Sequence, residues 1–183
     1  MRYRFPALVA ASIAVAAPAW AQDPTGEWLV EDGTAQIRIV KCGDSLWGVV
    51  SWEKTPGGRD TKNPDASKRG RPTLGMPTLL DMHASDPGEW EGEVYNSENG
   101  KTYDASIVLR NANTLHIEGC VLGFLCGGED WTRTQAKPSS GTVDDPATAP
   151  AAAICSMVIL PLKCEIRIIK IGINVKYNVN SKI

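Results

Sequence analysis

Gly43-Asp44-Ser45-Leu46 is the stretch whose spelling most resembles a catalytic motif, that of the GDSL lipases and esterases. That chemistry needs the serine on a strand-to-helix turn, with a base to take its proton. Here Ser45 follows a β-turn and opens a β-strand. The companion Asp-x-x-His is absent: Leu80 stands three residues before His83, and Asn113 three before His116. A motif without its structural context does not support hydrolysis, so no catalytic residue is assigned. These two histidines are the whole complement, and no Cys/His cluster has zinc spacing. Asp60, Asn63 and Asp65 sketch a calcium loop but lack its glycine and terminal glutamate. They read better as a turn capped by polar side chains. Neither a metal nor a cofactor is called for.

Binding chemistry has more material. Residues 53–72 carry Lys54, Arg59, Lys62, Lys68, Arg69 and Arg71 against three acidic residues. At a barrel mouth such a loop could hold an anionic head group, with Arg69 and Arg71 offering forks for a carboxylate. A solvated loop with local ion pairs is the competing account. Trp47, Trp52, Trp90, Tyr95 and Tyr103 are candidates for the lining of an apolar cavity, although small barrels are commonly filled by side chains.

These residues need a scaffold, and the pattern describes a β one. Strands are predicted over 26–31 and 34–41, joined by a type I′ turn at Asp32-Gly33. Ala35, Ile37 and Ile39 point one way, Gln36 and Arg38 the other. The third strand, 45–52, is apolar on both faces: Leu46, Val50 and Trp52 on one, Trp47 and Val49 on the other. It must be covered on both sides or line a cavity. Five prolines between 53 and 89 forbid long regular elements there. Asn63 as N-cap and Pro64 behind it predict a turn of helix ending by Gly70, and 74–82 is apolar enough for a short strand or a lid. Strands resume at 90–96, 101–110 and 114–121, with Asn99-Gly100 the strongest hairpin signal. After a loop at 122–128, residues 129–134 form a closing strand that returns to the first at Gly26-Glu27-Trp28. Seven strands, with 74–82 as an eighth, and tight up-and-down turns predict an all-β closed antiparallel barrel, which leaves no edge to protect.

The ends carry different information. Arg2 and Arg4, the apolar run 8–17 and Ala19-Trp20-Ala21 describe a signal peptide over 1–21. They predict a periplasmic protein whose mature chain starts at Gln22 and has no transmembrane span. Without Arg2 and Arg4 there are 17 basic and 21 acidic residues, which argues against a nucleic-acid partner. One domain is expected over 22–135, then a Pro/Ala-rich linker over 136–153 and a tail over 154–183. Five cysteines in an oxidising compartment predict disulfides and one leftover thiol. Cys120 pairs with Cys126, or Cys42 with Cys126, while Cys155 and Cys164 are placed to pair within the tail.

Residues 24–134 resemble the bacterial exported family catalogued as domain of unknown function 2147, whose members are lipocalin-like. The resemblance rests on Gly26-Glu27-Trp28-Leu29, Cys42-Gly43, Leu46-Trp47-Gly48, Asn63-Pro64-Asp65 with Arg69 and Arg71-Pro72, Tyr95-Asn96, Gly100-Lys101-Thr102-Tyr103, and Gly119-Cys120 through Trp131-Thr132-Arg133. It implies a small eight-stranded barrel, an apolar ligand such as a fatty acid, and an arginine of the last strand, Arg133, stacked over Trp28 to close one end. A structural or protein-interaction domain with a filled barrel is the alternative function.

Overall fold

The computed structural model describes residues 23–121, 125–137 and 149–159. The signal-peptide reading, Cys164 and most of the tail lie outside them. Eight strands are present among the described residues: β1 (Gly26–Leu29), β2 (Ala35–Cys42), β3 (Ser45–Glu53), β4 (Pro77–Asp86), β5 (Glu89–Asn96), β6 (Lys101–Asn111), β7 (Thr114–Val121) and β8 (Leu125–Thr134). Each pairs with its neighbours in chain order, and β8 returns to β1, so the sheet is a closed up-and-down barrel. The closing ladder sets Trp28 opposite Arg133 and Leu29 opposite Thr132, antiparallel.

Alternation in the strands explains the core. Inward positions Trp28, Ile37, Ile39, Leu46, Leu79, Met82, Ile107, Leu109, Leu115, Ile117 and Trp131 form one buried cluster. A second cluster lies outside the barrel, on the back of β2 and β3. There Val40, Cys42, Trp47 and Val49 are covered by Ile154 and Val158 of a helical segment over 151–159. The two-faced apolarity of β3 is thus satisfied by two separate layers. A disulfide between Cys42 and Cys155 fastens the helix to the strand it covers, and a second, Cys120–Cys126, ties β7 to β8.

Several expectations are corrected. Cys42 is bonded to Cys155 rather than Cys126, and Cys155 is therefore not free for Cys164. Strand pairing decides this: Cys120 and Cys126 are register partners, while Cys42 faces the helix on the outer surface. The β1–β2 turn is not type I′. The Gly33 amide donates to the Val30 carbonyl at 2.9 Å, and Gly33 alone in that turn has a positive φ, +68°. Asp32 instead accepts hydrogen bonds from the amide and hydroxyl of Thr34.

The helix start shifts as well. The helical element there is a 3-10 turn over Ala66–Lys68, capped by Asp65, whose carboxylate accepts from the Ser67 amide at 2.9 Å. Asn63 stands one turn earlier: its side-chain oxygen accepts from the Asp65 amide at 2.9 Å, while its NH2 group donates to Asp60 and Tyr95. Of the two readings for 74–82 the strand holds, shifted to Pro77–Asp86 as β4, and β8 starts four residues earlier than expected.

Candidate functional site

The two ends of the barrel differ. At one end the Trp28 indole donates to the Pro24 carbonyl at 2.8 Å. Arg133 lies across the indole with its guanidinium carbon 4.2 Å from the ring centroid. The same guanidinium donates to the carbonyls of Thr25 at 2.7 Å, Asp23 at 2.9 Å and Ala112 at 2.6 Å. These bonds tie the N-terminal approach and the β6–β7 turn over the barrel floor.

The other end is open among the described residues. A cup of about 920 Å³ is bounded by the β1–β2 loop, the start of β4, the β5–β6 hairpin and the facing ends of β7 and β8. Ile37, Val50, Met76, Val94, Ile117 and Trp131 give it apolar walls, and Tyr95 and Tyr103 stand at its side. The space exists partly because β7 and β8 face each other there with Gly119 opposite Gly127. A Cβ at Gly127 would meet no atom within 4 Å. That volume falls within the range of small-molecule sites.

The long loop between β3 and β4 folds against this mouth. It packs so closely on the β5–β6 hairpin that a Cβ at Gly100 would overlap the Lys62 carbonyl. Its anchor is a buried polar cluster. The Asp60 side chain is fully buried and accepts from the Tyr95 hydroxyl at 2.6 Å, the Asn63 amide at 2.7 Å and Arg71 Nε at 2.9 Å. Arg71 also approaches through a terminal nitrogen at 2.8 Å. Burial alone would raise the Asp60 pKa, but the bonds from Tyr95, Asn63 and Arg71 outweigh it and hold the carboxyl below its ordinary value. The Tyr95 hydroxyl shifts up, by burial and by its bond to that carboxylate. Arg69 donates through Nε to the Asn63 carbonyl at 2.7 Å.

The seven residues proposed for ligand contact therefore separate. Tyr95 and Tyr103 line the cup. Arg69 and Arg71 lie in the loop beside it, where they hold the loop together. Trp90 packs against the core cluster and is not among the residues lining the cup. Trp47 is outside, under the 151–159 helix. Trp52 is capped by Lys137, whose ammonium lies 4.0 Å from the ring centroid. A bulge between Gln36 and Ile37 shifts the register there. Glu129 on the cup wall is not singled out by the sequence, and Trp131 beside it enters only with the family resemblance; Asp60 reads there as part of a polar-capped turn and not as the anchor of the loop. Period-two alternation from Ile117 across to its partner Glu129 would have placed the first two inside.

Elsewhere, Glu118, Cys120 and Cys126 bring possible ligand atoms within 4.8 Å of one another. Both sulfurs are committed to the disulfide, so neither is a thiolate. Ser45 is buried; its hydroxyl donates to the Cys42 carbonyl at 3.5 Å and accepts from Trp47 Nε1 at 3.2 Å. His83, opposite Ser45 in the ladder, pairs with Asp81 at 3.3 Å. His116 points outward and meets Asp130 at 2.7 Å.

A family model described as "Uncharacterized protein conserved in bacteria (DUF2147)" matches residues 26–133, the whole barrel apart from Thr134. The chain belongs to this family. The DUF2147 match stops short of the helix at 151–159 that covers β2 and β3. Among solved structures, protein HP1028 from the human pathogen Helicobacter pylori, described as belonging to the lipocalin family, superposes with a TM-score of 0.56. It is 18% identical, over 61% of this chain and 83% of that one. At that identity the likeness establishes a shared fold. No curated protein matches the chain significantly. This DUF2147 member is a lipocalin-like barrel, open at one end, and no helix among its described residues is long and apolar enough to cross a membrane.

Proposed function

We propose that this protein is an exported, non-enzymatic binding protein that takes a small apolar or amphipathic molecule into the open end of its barrel. The observation that carries this reading is the difference between the ends. One is sealed by Arg133 over Trp28, while the other holds an apolar cup of about 920 Å³. Two disulfides support passage through an oxidising compartment, in keeping with the basic and apolar start of the sequence and a periplasmic address. Binding without catalysis is supported by Ser45, whose hydroxyl is engaged with Cys42 and Trp47 and with no base.

The fatty-acid form of the reading needs a cation in the cup. Arg71 is held by Asp60 and Arg69 by the Asn63 carbonyl, and neither lines the cavity. Support therefore goes to an apolar or amphipathic ligand in general rather than to a carboxylate in particular.

Native mass spectrometry of the protein titrated with decanol tests the proposal, with Gly127→Phe as the comparison. Phenylalanine there would fill the cup from a position with ordinary backbone geometry. A one-to-one adduct in the wild type that is lost in Gly127→Phe is expected. Absence of an adduct, or an equal adduct in both, would favour the second reading, a filled barrel that serves as a protein-interaction domain.

A further inference from the structure

The charge on the cup wall bears on what enters it. Glu31, Asp32, Glu98 and Glu129 all line it, and no lysine, arginine or histidine does among the described residues. Three of the four stand at the rim, on the β1–β2 loop and the β5–β6 hairpin, and are exposed. Glu129 differs. It lies on β8 directly across from Ile117, a core residue, and so on the inner face of the barrel. Its carboxylate accepts a hydrogen bond from the indole N–H of Trp131. That bond orients the carboxylate without neutralising it, and no cation among the described residues pairs with it. That carboxylate faces the cup with no counter-charge beside it among the described residues, and a cationic group entering the cup would supply one.

The basic residues near the mouth do not fill that role. Arg71 is taken by Asp60, Arg69 donates to the Asn63 carbonyl, and Lys54 acts on Asp32 from outside the lining. Aromatic faces stand in the same wall, Trp131, Tyr95 and Tyr103, and aromatic faces attract cations, most of all organic ammonium groups.

Resting on the binding reading above, we infer that the ligand is a cationic amphiphile. Its apolar part occupies the cup, and its ammonium group sits against Glu129 beside Trp131, with the exposed carboxylates at the rim favouring approach of the same charge.

Calorimetric titration with decylamine, decanol and decanoate at neutral pH, each below its aggregation concentration, tests this on the intact mature protein. The three share a chain and differ in head-group charge. Decylamine is expected to bind about tenfold or more tighter than decanoate, as a charge-assisted contact implies. Glu129→Gln keeps an acceptor for Trp131 but removes the charge. It should weaken decylamine about tenfold and leave decanol unchanged. Should that variant fail to fold by near-UV circular dichroism, the double variant Glu31→Gln/Glu98→Gln, at two exposed positions, should weaken decylamine and reduce its salt dependence. Decanoate binding as tightly as the amine, or an amine affinity unchanged in the folded variants, would overturn the inference while leaving the cup reading in place. Failure of all three compounds to bind would overturn both.

Discussion

Arg133 covers Trp28: the last strand of the barrel lays its guanidinium 4.2 Å from the centre of the first strand's indole, and the two are also partners in the closing ladder. One side chain thus joins a cation–π contact to three backbone carbonyls from Asp23, Thr25 and Ala112. Arg133→Ala should cost about 2–3 kcal/mol and lower the melting temperature by several degrees. Because the contact lies at the sealed end, ligand affinity should stay nearly constant. A large affinity loss at unchanged stability would contradict the assignment.

Asp60 makes stability depend on pH. Its carboxyl is held below the ordinary 3.8 although burial opposes this, because Tyr95, Asn63 and Arg71 all bond to the charged form. A group whose folded pKa is depressed stabilises the fold above its unfolded value, and that contribution disappears as pH falls through the folded value. Asp60→Asn should therefore be about 3 kcal/mol less stable than wild type at neutral pH. The gap should narrow progressively below about pH 4. Denaturant melts at several pH values would measure it; a gap that is constant with pH would rule out the linkage.

The two disulfides should differ in weight. Cys42–Cys155 closes a span of 113 residues, and Cys120–Cys126 one of 6. Chain entropy gives about 5 kcal/mol for the first and about 2 kcal/mol for the second. Cys155→Ser should also release the helix and bare Val40, Trp47 and Val49, seen as dye binding and a red shift of tryptophan emission. An equal or greater loss of stability in Cys120→Ser would count against this.

Ser45 should prove silent toward esters. Its hydroxyl is buried and bonded to Cys42 and Trp47. Any esterase activity in a preparation should survive Ser45→Ala, which costs about 1–3 kcal/mol of stability because the buried Trp47 indole N–H loses its acceptor. Activity abolished in a folded Ser45→Ala protein would restore the hydrolase reading.

Local signals carried the strands. Alternation along β6 and β7 and the Asn99-Gly100 turn were legible because a strand's period is written in neighbouring residues, and the return of the last strand to Trp28 followed from the need to leave no sheet edge open. Turn detail was less so. The Asp32-Gly33 pair suggested type I′, but hydrogen bonds from Thr34 to Asp32 selected a longer loop. Asn63 looked like the helix cap, but its side-chain oxygen caps the preceding turn at the Asp65 amide, its NH2 group serves Asp60 and distant Tyr95, and Asp65 caps the 3-10 turn.

The sequence by itself determined a closed β tube and a third strand that needs cover or a cavity on each face, since both follow from which residues alternate and which must escape water; the sealing pair Trp28 and Arg133 came with the family resemblance. Tertiary structure alone decided what covers Trp47, which cysteine meets Cys42, that Trp52 is capped by Lys137, and that the loop arginines hold their own loop. Those outcomes depend on long-range partners such as Ile154, Cys155, Lys137 and Asp60. No local period encodes a contact between segments brought together only when the barrel closes.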